Sequence, residues 1–148
     1  MVDYADLAGK LSALSEGTGY SVTVLANASA MIYEALGRVN WCGFYIMNEG
    51  KLKLGPFQGK VACTEIAVGR GVCGTAAAEQ ATVVVPDVHE FAGHIACDSA
   101  SNSEIVVPVF VRGELYGVLD IDSTEFSRFG EGDRAGLELC VRAIEKYL

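Results

Sequence analysis

The sequence has no long apolar run. Its longest strongly apolar stretch, Ile105 to Val111, spans seven residues. That is too short to cross a bilayer and suits a buried strand. It also has no basic cluster. Lys and Arg number 11 against 19 Asp and Glu, for a formal charge of −8. Surfaces that grip nucleic acid or anionic membrane need such clusters, so neither is an expected partner. An acidic cleft that concentrates a cationic small molecule fits the balance better. The opening residues, MVDYADLAGK, carry no basic start ahead of an apolar run, and no secretory signal is expected. No Cys-x-x-Cys pair occurs among the five cysteines. That weakens a structural zinc site built from Cys63, Cys73 and Cys97 with His89 or His94. The glycine-rich stretch from Gly69 to Gly74 lacks the Gly-Lys-Ser/Thr ending of a phosphate loop.

The chain does have enough apolar residues to build a core. Hydrophobic residues make up 51% of 148 and charged residues 20%, which excludes disorder for most of the length. The length predicts one domain, residues 1–148. Leu7, Leu11 and Leu14 predict a helix over Asp3 to Ser15. Val22, Leu25, Ile32 and Leu36 predict a second from Tyr20 to Leu36, stopped by Gly37. Val39 to Met47 reads as a strand with Trp41, Gly43 and Tyr45 on one face and Cys42, Phe44 and Ile46 on the other. Lys51 to Gly55 returns as a short strand. A short alanine-rich helix follows Gly69, with Cys73 in or near its first turn, and Thr82 to Val85 is another strand. Ile105 to Val111 and Leu115 to Asp122 form a hairpin. A last helix, Asp133 to Leu148, has Asp133 as its N-cap and an apolar stripe through Leu137, Cys140, Val141 and Ile144. Strands bracketed by helices predict an α+β domain, its antiparallel sheet covered by the terminal helices on one face and free to hold a ligand on the other.

Three acids stand out. Asp120 and Asp122 share a strand face because the side-chain period is two. Pairing Val111 with Glu114 puts Glu104 opposite Ile121 and diagonal to both aspartates; a slip of one residue puts it directly opposite one of them. Like charges gathered at the end of apolar strands raise at least one pKa, and a carboxyl that keeps its proton is a ready general acid. Its ionised neighbours suit an ammonium group. Among the cysteines, Cys42 and Cys140 fall on apolar faces and read as core thiols. Cys63, Cys73 and Cys97 fall in loops or at a helix start. The positive end of that helix favours a Cys73 thiolate, and His94 is placed to assist Cys97. With no export signal, an odd number of cysteines points to a reducing, cytoplasmic setting and to thiol chemistry. Trp41 and Tyr45 offer an aromatic wall, a good seat for a thioether methyl group.

These residues together resemble a known family. The run Trp41-Cys42-Gly43-Phe44-Tyr45 is followed by Gly55-Pro56-Phe57-Gln58-Gly59, Cys63, Gly69 to Ala76, Val85 to Val88, His94 to Asp98, Ser101 to Pro108 and Leu119 to Ser123. The pattern is similar to the free methionine-(R)-sulfoxide reductases, single GAF-type domains. The resemblance implies Cys97 as the nucleophile that attacks the sulfoxide sulfur and becomes a sulfenic acid. It implies Cys63 as the resolving thiol and Cys73 as an auxiliary thiol. Glu104 and Asp122 would polarise or protonate the sulfoxide oxygen, Asp120 would help hold the amino group, and Trp41 would contact the substrate methyl. The implied reductant is thioredoxin, the implied assembly a homodimer, and no bound metal or organic cofactor is implied. The residues alone leave open whether Cys63 or Cys73 pairs with Cys97. They also leave a rival reading, a GAF-type sensor of a small ligand.

Overall fold

The computed structural model describes residues 1–94 and 100–148. Helices α1 (Tyr4–Ser15) and α2 (Ser21–Leu36) come first, then strands β1 (Trp41–Asn48), β2 (Lys51–Gly59) and β3 (Glu65–Ala67). Helix α3 (Gly71–Glu79), strand β4 (Val83–Val85) and one 3-10 turn (Val88–Glu90) lead to β5 (Ser103–Val111), β6 (Glu114–Ser123) and α4 (Glu131–Glu145). The strands form one sheet in the order β3-β2-β1-β6-β5-β4, with every neighbouring pair antiparallel. The α+β architecture predicted from the sequence is the one observed.

Strand alternation divides the core in two. On one face Cys42 and Phe44 of β1, Ile105, Val107 and Val109 of β5, and Leu119 and Ile121 of β6 pack under α1, α2 and α4. Leu25, Ile32, Leu137, Cys140, Val141 and Ile144 are the helix side chains that close it, each at most 1% exposed. On the other face Trp41, Tyr45, Leu52, Val106 and Val118 meet Val72, Cys73, Ala76 and Ala77 of α3. The short α3 covers only part of this face, and the site lies where that cover stops.

Several boundaries differ from the sequence reading. Strand β2 runs four residues beyond Gly55 and also pairs with the short β3; Pro56 sits inside β2 at the break in its register with β1, between the Tyr45–Leu54 and Gly43–Phe57 pairs, a bulge that tolerates its missing N–H. Leu14 and Val22, placed on apolar helix faces, are half-exposed instead. Asp133 is not the N-cap of α4. Gly130 is, and Asp133 sits one turn in, where its carboxylate accepts from the Gly130 N–H at 2.9 Å and the Tyr4 hydroxyl at 2.6 Å. An acid at this third position reaches back to the cap N–H, the one half of a capping box that a glycine cap allows, which periodicity alone cannot tell from a cap.

The β5–β6 hairpin turns at Arg112-Gly113, both with positive φ (54° and 78°), the two-residue turn that matches the twist of paired strands. The ladder starts with Val111 opposite Glu114 and Phe110 opposite Leu115, then slips, so that Val109 faces Gly117. The slip places Val106 opposite Asp120 and Glu104 opposite Asp122.

Candidate active site

That slip builds the site. In an antiparallel pair, directly opposed residues share a face, and one residue of offset moves a whole set to the other face. Glu104, Asp120 and Asp122 therefore all project from the face that α3 leaves partly open. Next door, Trp41 of β1 lies opposite Asp122 and Gly43 opposite Asp120. One pocket is lined by Trp41, Tyr45, Cys73, Glu104, Asp120 and Asp122. Arg70, Gly71, Val72, His94 and Ser101 also border it.

Two of the three acids are buried, and Asp122 is half-buried. Glu104 and Asp120 are each 6% exposed. Burial lifts the Glu104 carboxyl well above the usual carboxylate range, and the Asp120 and Asp122 charges lift it further. Glu104 hydrogen-bonds both aspartates, which requires at least one proton within the trio. Burial raises Asp120 as well, while hydrogen bonds from Glu104 and from the Cys73 thiol pull it back down. The other oxygen, Asp120 Oδ1, is buried without a hydrogen-bond partner among the described residues. A buried carboxylate oxygen with no donor is costly unless a ligand supplies one. The geometry thus offers a proton donor in Glu104 and an acceptor for a cationic N–H in Asp120.

The aromatic wall is held by glycines. A Cβ on Gly59, the direct partner of Trp41, would stand 2.6 Å from the indole Cδ1. A Cβ on Gly43 would stand 2.9 Å from the far end of the same indole and 2.2 Å from the Phe57 Cβ. The indole therefore lies flat along the sheet between two bare backbone positions. It stacks on Phe57 at 5.1 Å and 16° and near Tyr45 at 5.9 Å and 25°. Its Nε1 donates to the Lys60 carbonyl at 3.0 Å, and the Tyr45 hydroxyl donates to the Cys63 carbonyl at 2.9 Å. These two bonds tie residues 60–63 to the pocket wall. Cys63 lies in this connection, as the sequence reading placed it.

Cys73 corrects one expectation. It sits in the first turn of α3 as predicted, yet its thiol is not poised as a thiolate. Burial pushes it well up, and the Asp120, Glu104 and Asp122 charges add to that. A helix N-terminus offers about 0.3–1 kcal/mol at exposed positions, which three facing acids and a 4%-exposed site outweigh. Cys73 Sγ and one oxygen each of Glu104 and Asp120 lie within 4.8 Å of one another. This is the set among the described residues able to hold a metal ion, and it is not the cysteine–histidine set considered from the sequence. Cys42 and Cys140 are core thiols, as expected; burial pushes Cys140 up to about 12. Cys97 lies outside the described residues.

Of the two histidines, His94 enters the pocket, its Nε2 3.9 Å from Glu104 Oε1. Burial and His89 hold its pKa down. His89 instead bonds Asn102 Oδ1 at 2.9 Å. Arg70 and the residue pair Val61-Ala62 border the pocket without having been singled out. The signal for Arg70 was its place at a glycine-rich helix entry, set aside once the phosphate-loop ending proved absent.

The GAF domain family matches residues 14–148. The free methionine-R-sulfoxide reductase of Escherichia coli (strain K12) is 54% identical over 145 residues, covering 98% of this chain and 88% of that protein. A structure of fRMsr of Staphylococcus aureus in complex with substrate is 46% identical with a TM-score of 0.95, covering 100% of this chain and 97% of that one. The free methionine-R-sulfoxide reductase from Neisseria meningitidis, solved in complex with its substrate, is 43% identical with a TM-score of 0.93, covering 97% and 87%.

Proposed function

The chain belongs to the GAF-domain free methionine-R-sulfoxide reductases, and on that premise we propose that it reduces free methionine-(R)-sulfoxide to methionine by thiol chemistry in this pocket. One observation carries the reading: a buried, proton-holding Glu104 directly opposite Asp122, beside an indole laid flat as a wall. A sulfoxide needs a proton on its oxygen as sulfur is attacked, and Glu104 is the group able to give it. Asp122 shares that proton, and the unpartnered oxygen of Asp120 accepts from the substrate ammonium. Trp41 and Tyr45 seat the methyl group and the thioether chain.

In the proposed sequence the Cys97 thiolate attacks the sulfoxide sulfur. The oxygen, protonated from Glu104, passes to Cys97 as a sulfenic acid, and methionine departs with the electron pair. A proton from solvent, equal to the one Cys97 released on forming the thiolate, restores Glu104. A second thiol then displaces water from the sulfenic acid and closes a disulfide, which a dithiol such as thioredoxin opens again. Cys73 carries a free thiol and is buried among the carboxylates, which favours Cys63 for this resolving step. The electrons come from thiols throughout, so the reaction calls for no bound metal or organic cofactor. A cytoplasmic homodimer is the setting that goes with this reading.

The test is consumption of NADPH in a system of thioredoxin, thioredoxin reductase and the freshly reduced protein. Free methionine-(R)-sulfoxide is expected to support turnover; the (S) epimer and a peptide-bound sulfoxide are not. No turnover with the free (R) epimer would overturn the proposal and turn attention to small-ligand sensing.

A further inference from the structure

The acid trio accounts for one end of a free amino acid, its ammonium group. The other end is a carboxylate, and an acidic pocket repels it. Among the described residues lining the pocket, Arg70 is the one Lys or Arg. Its guanidinium forms no ion pair or side-chain hydrogen bond with a described residue, although seven other Lys and Arg side chains of this acidic chain do form ion pairs. Arg70 is also the residue that precedes the first turn of α3, and no side chain caps that turn. The backbone of Gly71 and Val72, where orphan N–H groups of a helix start lie, borders the same pocket.

We propose that Arg70, with the uncapped first turn of α3 at Gly71 and Val72, binds the α-carboxylate of a free amino acid whose ammonium is held by Asp120. The pocket is then bipolar. Its buried floor carries an unpartnered carboxylate oxygen, Asp120 Oδ1, and its rim carries an unpaired guanidinium beside a positive helix end. A zwitterion matches both poles at once. A peptide-bound residue has an uncharged amide where the carboxylate would sit, so it forfeits the rim contact and leaves Arg70 unpaired. Discrimination for the free form then arises from both charged poles, and Arg70 supplies the part that reads the carboxylate. This inference rests on the proposed substrate but is measured separately from turnover.

Trp41 is the sole tryptophan and forms part of the pocket wall, so its fluorescence reports occupancy directly. Wild-type protein and the Arg70→Ala and Arg70→Lys variants are titrated with free methionine-(R)-sulfoxide and with its carboxamide, which keeps the ammonium and the sulfoxide but carries no carboxylate. Wild type is expected to bind the free acid about 10- to 100-fold more tightly than the carboxamide, the range of one charge-assisted hydrogen-bonded pair. Arg70→Ala is expected to bind both alike, and Arg70→Lys to keep part of the preference. Equal preference in wild type and Arg70→Ala would overturn the inference. So would an equal loss of both ligands in Arg70→Ala, which would mark Arg70 as a support for α3. Discrimination by Arg70 without turnover would sustain this inference and overturn the proposed reaction; turnover without it would do the reverse.

Discussion

Glu104 lies directly opposite Asp122 in the β5–β6 ladder, and the two carboxyl groups are hydrogen-bonded inside the pocket. A buried acid and a half-buried one so placed cannot both ionise cheaply, and the proton is held on the pair and its neighbour Asp120. The arrangement costs stability and keeps an acid in its donor form.

Replacing Glu104 by Gln tests that donor. The amide keeps the shape and offers no transferable proton, so kcat is expected to fall about 10²- to 10⁴-fold. In the wild type, activity should be highest below the raised Glu104 pKa and fall as pH climbs through it, because the donor is the protonated form. A kcat profile measured from acid to alkaline pH checks both; a glutamine variant with the wild-type rate and profile would remove Glu104 from the chemistry.

The same substitution has a stability consequence of opposite sense. Glu104 binds its proton more tightly folded than unfolded. Its contribution is therefore most favourable below the ordinary carboxylate range and is lost as pH rises toward the folded value. Glu104→Gln removes that loss, so Tm at alkaline pH should rise by about 2–4 °C for each kcal/mol relieved. The gain should shrink as pH falls, and calorimetry at several pH values reads it. A variant less stable than wild type at alkaline pH would contradict the burial argument.

Cys73 should behave as a buried, protonated thiol. In the native reduced protein it is expected to resist iodoacetamide near neutral pH, reacting only as the fold opens. Peptide mass spectrometry after timed alkylation measures this. Labelling of Cys73 ahead of Cys63 would show a thiolate that the surrounding acids should forbid.

Gly43→Ala forces a Cβ to 2.2 Å from Phe57 and 2.9 Å from the Trp41 ring. Backbone and ring must shift, at a cost of about 1–3 kcal/mol. The near-ultraviolet circular dichroism of the single tryptophan should change, and KM should rise because the aromatic wall moves. An unaltered spectrum would mean that Gly43 does not set the position of the indole.

Tyr45→Phe removes the hydroxyl that holds the Cys63 carbonyl at 2.9 Å. The loss of one partly buried hydrogen bond is worth about 1 kcal/mol, and residues 60–63 lose an anchor. The resolving step should slow more than release of the first methionine. Rapid-quench measurement of methionine and of remaining thiols separates the two; equal slowing of both would place Tyr45 at the sulfoxide instead.

Much of this was legible in the chain. The helices α1, α2 and α4, the strand β1 with its two faces, the hairpin and the acid trio follow from periods of 3.6 and 2 and from glycine at the turns. The core thiols Cys42 and Cys140 were readable because they fall on those apolar faces. Asp133 misled because a cap and an acid at the third helical position look alike in sequence. The length of β2 was missed because Gly55-Pro56 reads as a break, although a bulge inside the strand tolerates it.

Local spacing and composition set the secondary elements, the two-faced sheet and the residue types that thiol chemistry requires, and all of these can be read along the chain. Tertiary structure decided the rest. The slip between Val109 and Phe110 put Glu104 opposite Asp122 instead of Ile121, and a slip is set by packing across the whole sheet. Burial beneath α3 kept the Cys73 thiol protonated, against the pull of its helix end. Arg70 met the acids across the pocket although it stands 34 positions before Glu104 in the chain. Charge state and proximity are properties of the folded environment: they depend on what is desolvated and what faces what, and no period along the chain records either.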